Sequence, residues 1–425
     1  MRTVVLSVPP VENGRRCPAV KETATLPWWC DRRLIPEGSG LVLNGAPVAD
    51  LASSLGTPLY LYSASRVRDR LAGLRESLAS VGLDSRIYYA MKANRHPGLL
   101  DLIRAERDVG IDACSPREVE TAIEAGFRPG EISLTASMLS NRDLAALAAS
   151  RVHVNLDTVS AIRRFGRAAP RGARIGLRVD PGVDAGYAVA ASKLSYGRAK
   201  LGLPAARLPD ALDEAERAGL AVDTLHMHLG WGLQESDAGA FDQALAVLAA
   251  QIPKIPDLQV VNIGGGLGAR HREDDRPLAL DAWAAAVRRR LGGSGLTLAC
   301  EPGTLLVAAA GVLVVEVNTV NEKDGRTWVG VDAGHNINVY PLHYKIPLEV
   351  VHVTRPLDSP ARVVTIVGNI NEAGDVFAQD VRLPEIREGD LLAFLPAGAY
   401  GASMSSDHCL RGNPREFLID KEGGS

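Results

Sequence analysis

The 425-residue chain is poor in cysteine, with five, and in aromatic residues, at 5%. Cys17, Cys30, Cys114, Cys300 and Cys409 are odd in number, scattered, and nowhere at CxxC spacing. That argues against a thiolate zinc site or a disulfide framework, and no metal is expected. Free thiols in a reducing, cytoplasmic compartment are the expectation. No apolar run approaches the roughly 18 residues a membrane span needs. The N-terminus, with Arg2 and a short apolar stretch cut by Pro9 and Pro10, makes a poor signal peptide. An excess of one charge is missing too. Forty-seven Lys and Arg stand against 50 Asp and Glu, a net charge of −3, so no basic field exists for nucleic acid or an anionic membrane. The expected partner is a small molecule.

What remains is ordinary globular composition, 46% hydrophobic and 23% charged, at a length that suggests two domains. Residues 1–40 form an extension without a clear period, broken by Pro9, Pro10 and Gly14. Its adjacent Trp28 and Trp29 are too costly to leave in water, so they should pack on the body or on a second subunit. Helical patterns at 64–81 and 116–125 then alternate with short apolar runs at 87–90, 132–135, 152–156, 175–179, 224–228, 260–263 and 297–300. Seven or eight such βα units predict a parallel (β/α)8 barrel, an α/β fold. After residue 305 the β-rich runs 312–318, 327–331, 361–367 and 391–394 are separated by Gly, Pro and Asp, which predicts an antiparallel β-domain. The expected division is an extension over 1–40, a strand segment at 41–62 packing with the β-domain, a barrel over 63–305 and the β-domain over 306–425.

Four motifs carry chemistry. In Tyr88-Tyr89-Ala90-Met91-Lys92-Ala93-Asn94 an apolar strand ends in a lysine, where barrel enzymes place reacting groups. Partial desolvation would make Lys92 a competent amine for a Schiff base, although a solvated lysine after a strand fits equally. In Asn262-Ile263-Gly264-Gly265-Gly266-Leu267-Gly268 a strand runs into glycines, either a structural turn or a cradle for phosphate. Glu301-Pro302-Gly303 follows another strand; a carboxylate there could keep a pyridine nitrogen protonated or simply end the strand. His226-Met227-His228-Leu229-Gly230 puts two histidines on one strand face, open to a metal, a core or a ring-stacking reading.

The order of these pieces adds specificity. Gly56-Thr57-Pro58-Leu59-Tyr60-Leu61-Tyr62, YYAMKAN, Ala199-Lys200-Leu201-Gly202-Leu203, HMHLG, NIGGGLG, EPG, Val331-Asp332-Ala333-Gly334, Gly374-Asp375 and Ala397-Gly398-Ala399-Tyr400-Gly401 follow one another over roughly residues 41–420. In that arrangement the chain resembles the fold-type III pyridoxal-phosphate decarboxylases, which act on diaminopimelate, ornithine or arginine. The resemblance implies an alanine-racemase-like barrel with a β-domain and a pyridoxal 5'-phosphate cofactor. It also implies a homodimer with shared active sites. By position, Lys92 would anchor the cofactor and His228 would stack on its ring. Gly264, Gly265, Gly266 and Tyr400 would hold the phosphate, Glu301 would pair with the ring nitrogen, and Asp112 would lie nearby. Arg178 matches a barrel-strand arginine, with a structural ion pair as its expected role.

Four positions depart from that pattern. Trp231 stands where the family has a phosphate-binding serine, and Thr304 where it has an arginine; a bidentate guanidinium is not replaced by a hydroxyl without loss. Tyr340 occupies the place of the arginine that holds diaminopimelate's distal carboxylate, while Tyr344 is kept. Asn371 replaces the proton-donating cysteine that the second subunit contributes, and asparagine has no proton to give in an ordinary pH range. His343, Tyr340, Tyr344 or water would then donate. Glu372 and Asp375 are retained and would meet the substrate. The expectation is a decarboxylase for an amino acid other than diaminopimelate, in specialised metabolism: a diamino acid, a siderophore-type conjugate or a carrier-bound aminoacyl group. An amino-acid racemase or epimerase and an inactive regulatory homologue are the alternatives.

Overall fold

The computed structural model describes residues 5–6, 26–38, 40–106, 108–189, 192–193, 195–196 and 199–420. Most of the N-terminal extension, with Pro9, Pro10, Gly14 and Cys17, lies outside them. The chain divides into two compact units, one of residues 69–269 and 275–307, the other of residues 1–68, 270–274 and 308–425.

The first unit is a closed eight-stranded parallel barrel. Its strands are β1 (Ser85–Ala90), β2 (Val109–Ala113), β3 (Ile132–Thr135), β4 (His153–Leu156), β5 (Arg174–Asp180), β6 (Ala221–His226), β7 (Val260–Asn262) and β8 (Thr297–Cys300). β8 returns to β1 through the pairs Leu298↔Ser85 and Cys300↔Ile87. Buried on both faces, such strands read as apolar runs rather than as alternations. The seven expected runs fall on seven of these strands. β2 escaped that reading because Gly110 and Asp112 interrupt its hydrophobicity; a Cβ at Gly110 would strike the Glu131 carbonyl. The helices between strands begin on local signals. Ser115 Oγ accepts the Glu118 N–H ahead of Pro116, and Ser140 and Asp143 form a reciprocal capping box.

The second unit is built on the long strand Gly311–Lys323. It pairs antiparallel with Leu59–Ser63, Arg326–Val331 and Leu391–Leu395. The sheet is mixed, not wholly antiparallel as expected: Arg362–Val367 runs parallel to Arg326–Val331, and Arg415–Ile419 parallel to Leu59–Ser63. Parallel neighbours need a long crossover. Residues 332–361 provide one, and the whole stretch 64–414 provides the other. Trp29, Leu41, Leu43, Val48, Leu59, Leu61, Val312 and Val314 share one buried cluster, so the strand segment and the tryptophan pair pack within this unit. Trp28 Nε1 donates to Glu349 Oε2 at 3.3 Å, and the Arg270 guanidinium lies 5.1 Å from its ring centroid. Among the described residues no helix is long and apolar enough to cross a membrane.

Candidate active site

The C-terminal ends of the barrel strands gather the predicted groups around one cavity of about 270 Å³, lined among others by Lys92, Cys114, Arg178, Tyr196, His226, His228 and Glu301. Lys92 sits in the 3-10 turn Met91–Ala93 that ends β1. Its Nζ is 3.0 Å from Asp112 Oδ2 and 3.2 Å from Cys114 Sγ. Asp112 projects from the neighbouring strand and is fully buried. Burial and the nearby Glu301 charge push its carboxyl up to about 8, while the Lys92 ammonium pulls it down. Asp112 Oδ1 is buried without a hydrogen-bond partner, so half of this carboxyl still has accepting capacity.

Glu301, 5% exposed, ends β8. His226 Nε2 lies 3.1 Å from each of its oxygens, and Asn262 Nδ2 donates to Oε1 at 2.8 Å. Burial alone would raise this carboxyl, but the His226 contact, then Lys92 and His228, outweigh it and hold it at about 2. The barrel thus keeps a carboxylate ionised in its interior. His226 and Asn262 are direct register partners on β6 and β7, which is why both reach the same oxygen. The sequence marks His226 only as a metal, core or stacking residue and gives Asn262 no role of its own. The clue was the chemistry of Glu301 itself, since a buried carboxylate requires donors on adjacent strands.

His228 lies just past the end of β6. Its Nδ1 accepts the Gly265 N–H at 2.9 Å, which places the ring proton on Nε2. Burial, then Arg178 and Lys92, hold its pKa well below the usual imidazole range, so the ring is neutral. Its ring centroid lies 5.0 Å from that of Tyr196, the two rings tilted by 34°. The glycine run is tightly seated. Gly264 has φ +68°, and a Cβ there would come within 2.5 Å of the Met227 carbonyl. Gly264 and Gly265 already donate to Asn262 Oδ1 and His228 Nδ1. Two of the three expected phosphate amides are therefore engaged by Asn262 and His228.

An ion pair was the expected role of Arg178, but among the described residues no carboxylate lies within ion-pair distance of it; the residue is 7% exposed and lines the cavity. A buried cation of this kind calls for an anionic ligand. The two departures at the phosphate positions meet each other: Trp231 Nε1 donates to Thr304 Oγ1 at 2.9 Å. Tyr187 packs edge-on against the indole at 5.7 Å and donates its hydroxyl to Asp275.

The other predicted residues belong to the second unit. Tyr340 is 3% exposed; its ring lies 6.4 Å from Tyr400, nearly parallel, and 5.6 Å edge-on from Tyr344. Asn371 and Glu372 stand on an exposed turn. Asp375 is 3% exposed and accepts the backbone N–H groups of His335 and Ile370, each at 2.8 Å. These bonds make Asp375 a brace of its own loop.

An amine, a buried carboxylate held ionised, a neutral imidazole and an unpaired guanidinium around one cavity fit pyridoxal phosphate. Comparison with known proteins agrees. The family described as "Pyridoxal-dependent decarboxylase, pyridoxal binding domain" matches residues 64–308, more than half of the chain. Diaminopimelate decarboxylase of Methanothermobacter thermautotrophicus is 33% identical over 396 residues, covering 90% of this chain and 91% of that protein. The Pseudomonas aeruginosa enzyme of the same name is also 33% identical, covering 90% and 92%. The crystal structure of diaminopimelate decarboxylase from Helicobacter pylori complexed with L-lysine superposes with a TM-score of 0.79 at 27% identity, covering 88% and 94%. The chain belongs to the pyridoxal-dependent decarboxylase family. Its activity is that of a pyridoxal-phosphate-dependent carboxy-lyase.

Proposed function

We propose that the chain decarboxylates an α-amino acid that lacks the second carboxylate of diaminopimelate. The supporting observation is Tyr340: at the place of the family's carboxylate-binding arginine stands an uncharged ring, packed against Tyr400 and Tyr344. A phenol cannot replace the bidentate contact a guanidinium makes to a carboxylate.

Bound in the cavity, pyridoxal phosphate supplies an electron sink for the pair left when carbon dioxide departs. Lys92 is the amine placed to anchor it, with Asp112 and Cys114 fixing Nζ. Glu301 would keep a proton on the ring nitrogen, and His226 and Asn262 hold Glu301 ionised. His228, neutral and held by Gly265, would support the cofactor ring. Arg178 supplies positive charge for an anionic group of the ligand. For the phosphate, Gly264, Gly265, Gly266 and Tyr400 are the positions the resemblance assigns, with Trp231 and Thr304 standing where the family has two further contacts. Asn371 cannot return a proton to the substrate carbon, so His343, Tyr340, Tyr344 or water takes that role.

Glu372, on its exposed turn, reads as the substrate-amine contact that each subunit of a homodimer gives its partner. Mixing Lys92→Ala chains with Glu372→Gln chains should restore activity that neither has alone; mixtures that stay inactive refute the shared site. For the substrate, carbon dioxide release is measured across meso-diaminopimelate, ornithine, lysine, arginine and a citrate-conjugated diamino acid. The reading fails if meso-diaminopimelate has the highest kcat/KM of the panel.

A further inference from the structure

Three side chains far apart in the sequence converge in the second unit. His335, Glu372 and His408 each offer a ligand atom, all within 4.8 Å of one another. His408 Nε2 is 2.8 Å from Glu372 Oε1, and His335 Nε2 is 4.0 Å from Glu372 Oε2. The two imidazoles lie 5.5 Å apart, centroid to centroid. Behind His335 stands the buried carboxylate of Asp375, with Oδ1 at 3.4 Å from His335 Nδ1.

We propose that this cluster binds a divalent ion of the zinc class through His335 Nε2, His408 Nε2 and the Glu372 carboxylate, with water as the fourth ligand. Two imidazoles and one carboxylate form a recurrent zinc donor set, and the three leave a position open. The arrangement around His335 carries the argument furthest. Asp375 Oδ1 accepts the His335 backbone N–H at 2.8 Å and so anchors the residue that carries the ring, whose Nε2 is the ligand atom nearest the other two residues. A cluster of exposed acids has no such backing. Glu372 and His408 are 52% and 46% exposed, so both have room to move the roughly 1 Å that bonds near 2.0–2.2 Å require. With no ion bound, the His408–Glu372 hydrogen bond joins the same two ligands. An ion here would also occupy the carboxylate that the shared-site reading gives to the partner's substrate, but the test does not depend on turnover.

Cobalt(II), a spectroscopic stand-in for zinc, is titrated into the cofactor-loaded full chain carrying Cys409→Ser, which removes an exposed neighbouring thiol. The expected result is saturation at one ion per chain, with the intense visible bands of a four-coordinate site and displacement by zinc. His408→Ala and His335→Ala should each abolish saturation. Asp375→Asn, which weakens the brace on the backbone that carries His335, should lower affinity by about tenfold. Because His408 is exposed, its variant keeps the fold and the test decisive. Absence of saturable binding, or binding unchanged in His408→Ala, overturns the proposal.

Discussion

Replacing Glu301 by glutamine tests the centre of the site. The carboxylate is fully buried and accepts from His226 and Asn262, and its folded pKa stands at about 2 against an ordinary 4.5. That difference, at about 1.4 kcal/mol per unit, is worth roughly 3 kcal/mol. Because the folded value is the lower one, the stabilisation is fully present above about pH 5.5. It falls as pH drops through 4.5 toward 2, with about a quarter gone by pH 4. Glutamine has the same shape but one acceptor oxygen; its amide N–H2 faces a donor, leaving a buried hydrogen bond unmade at a cost of about 1–3 kcal/mol. Urea unfolding of the cofactor-free protein at pH 7 should therefore show Glu301→Gln less stable by about 3 kcal/mol, with its stability flatter between pH 6 and 4. The loaded enzyme should still be reducible at Lys92 by borohydride, while its decarboxylation rate falls by at least about a hundredfold for want of a protonated ring nitrogen. Equal stability at pH 7 together with an unchanged acid slope would refute the buried-carboxylate reasoning.

Three further outcomes follow from contacts described above. Restoring the family residues in Trp231→Ser/Thr304→Arg should slow loss of cofactor on dialysis by about tenfold or more, the effect of one charge-assisted phosphate contact; an unchanged rate would place these residues away from the phosphate. Arg178→Gln removes a positive charge beside His228, so the His228 imidazole, followed by NMR, should titrate at higher pH than in the parent. A titration that stays in place or moves down contradicts the charge placement. Trp29→Ala should destabilise the protein by about 3–5 kcal/mol in denaturant melts, since the indole lies in the buried cluster of the β-unit; a loss under about 1 kcal/mol would mean that the cluster does not depend on it.

Much of the barrel was legible because parallel strands must be apolar on both faces, and runs such as Ile132–Thr135 announce themselves. β2 did not, since Gly110 serves close packing and Asp112 serves the site, and each displaces a hydrophobic residue. In the β-unit, period and turns revealed strands but not their direction, which depends on partners hundreds of residues away. Lys92, His228 and Glu301 stood out because each ends a strand at a recognisable motif. Their supports did not: Asn262 is ordinary until β7 lies beside β6, and the Trp231–Thr304 hydrogen bond joins two positions that looked like separate losses. At Arg178 a sequence displays the charge but not that, among the described residues, no counter-charge stands beside it.

The strand Leu59–Ser63 lies between Gly311–Lys323 and Arg415–Ile419. During synthesis it leaves the ribosome some 350 residues before its last neighbour, a delay of roughly 20–70 s at about 5–20 residues per second. The barrel segment can close in that interval, while an apolar strand with two open edges waits. Removal of the final strand by an early stop would leave that edge open permanently, so shortened chains should accumulate as aggregates even with every cavity residue intact.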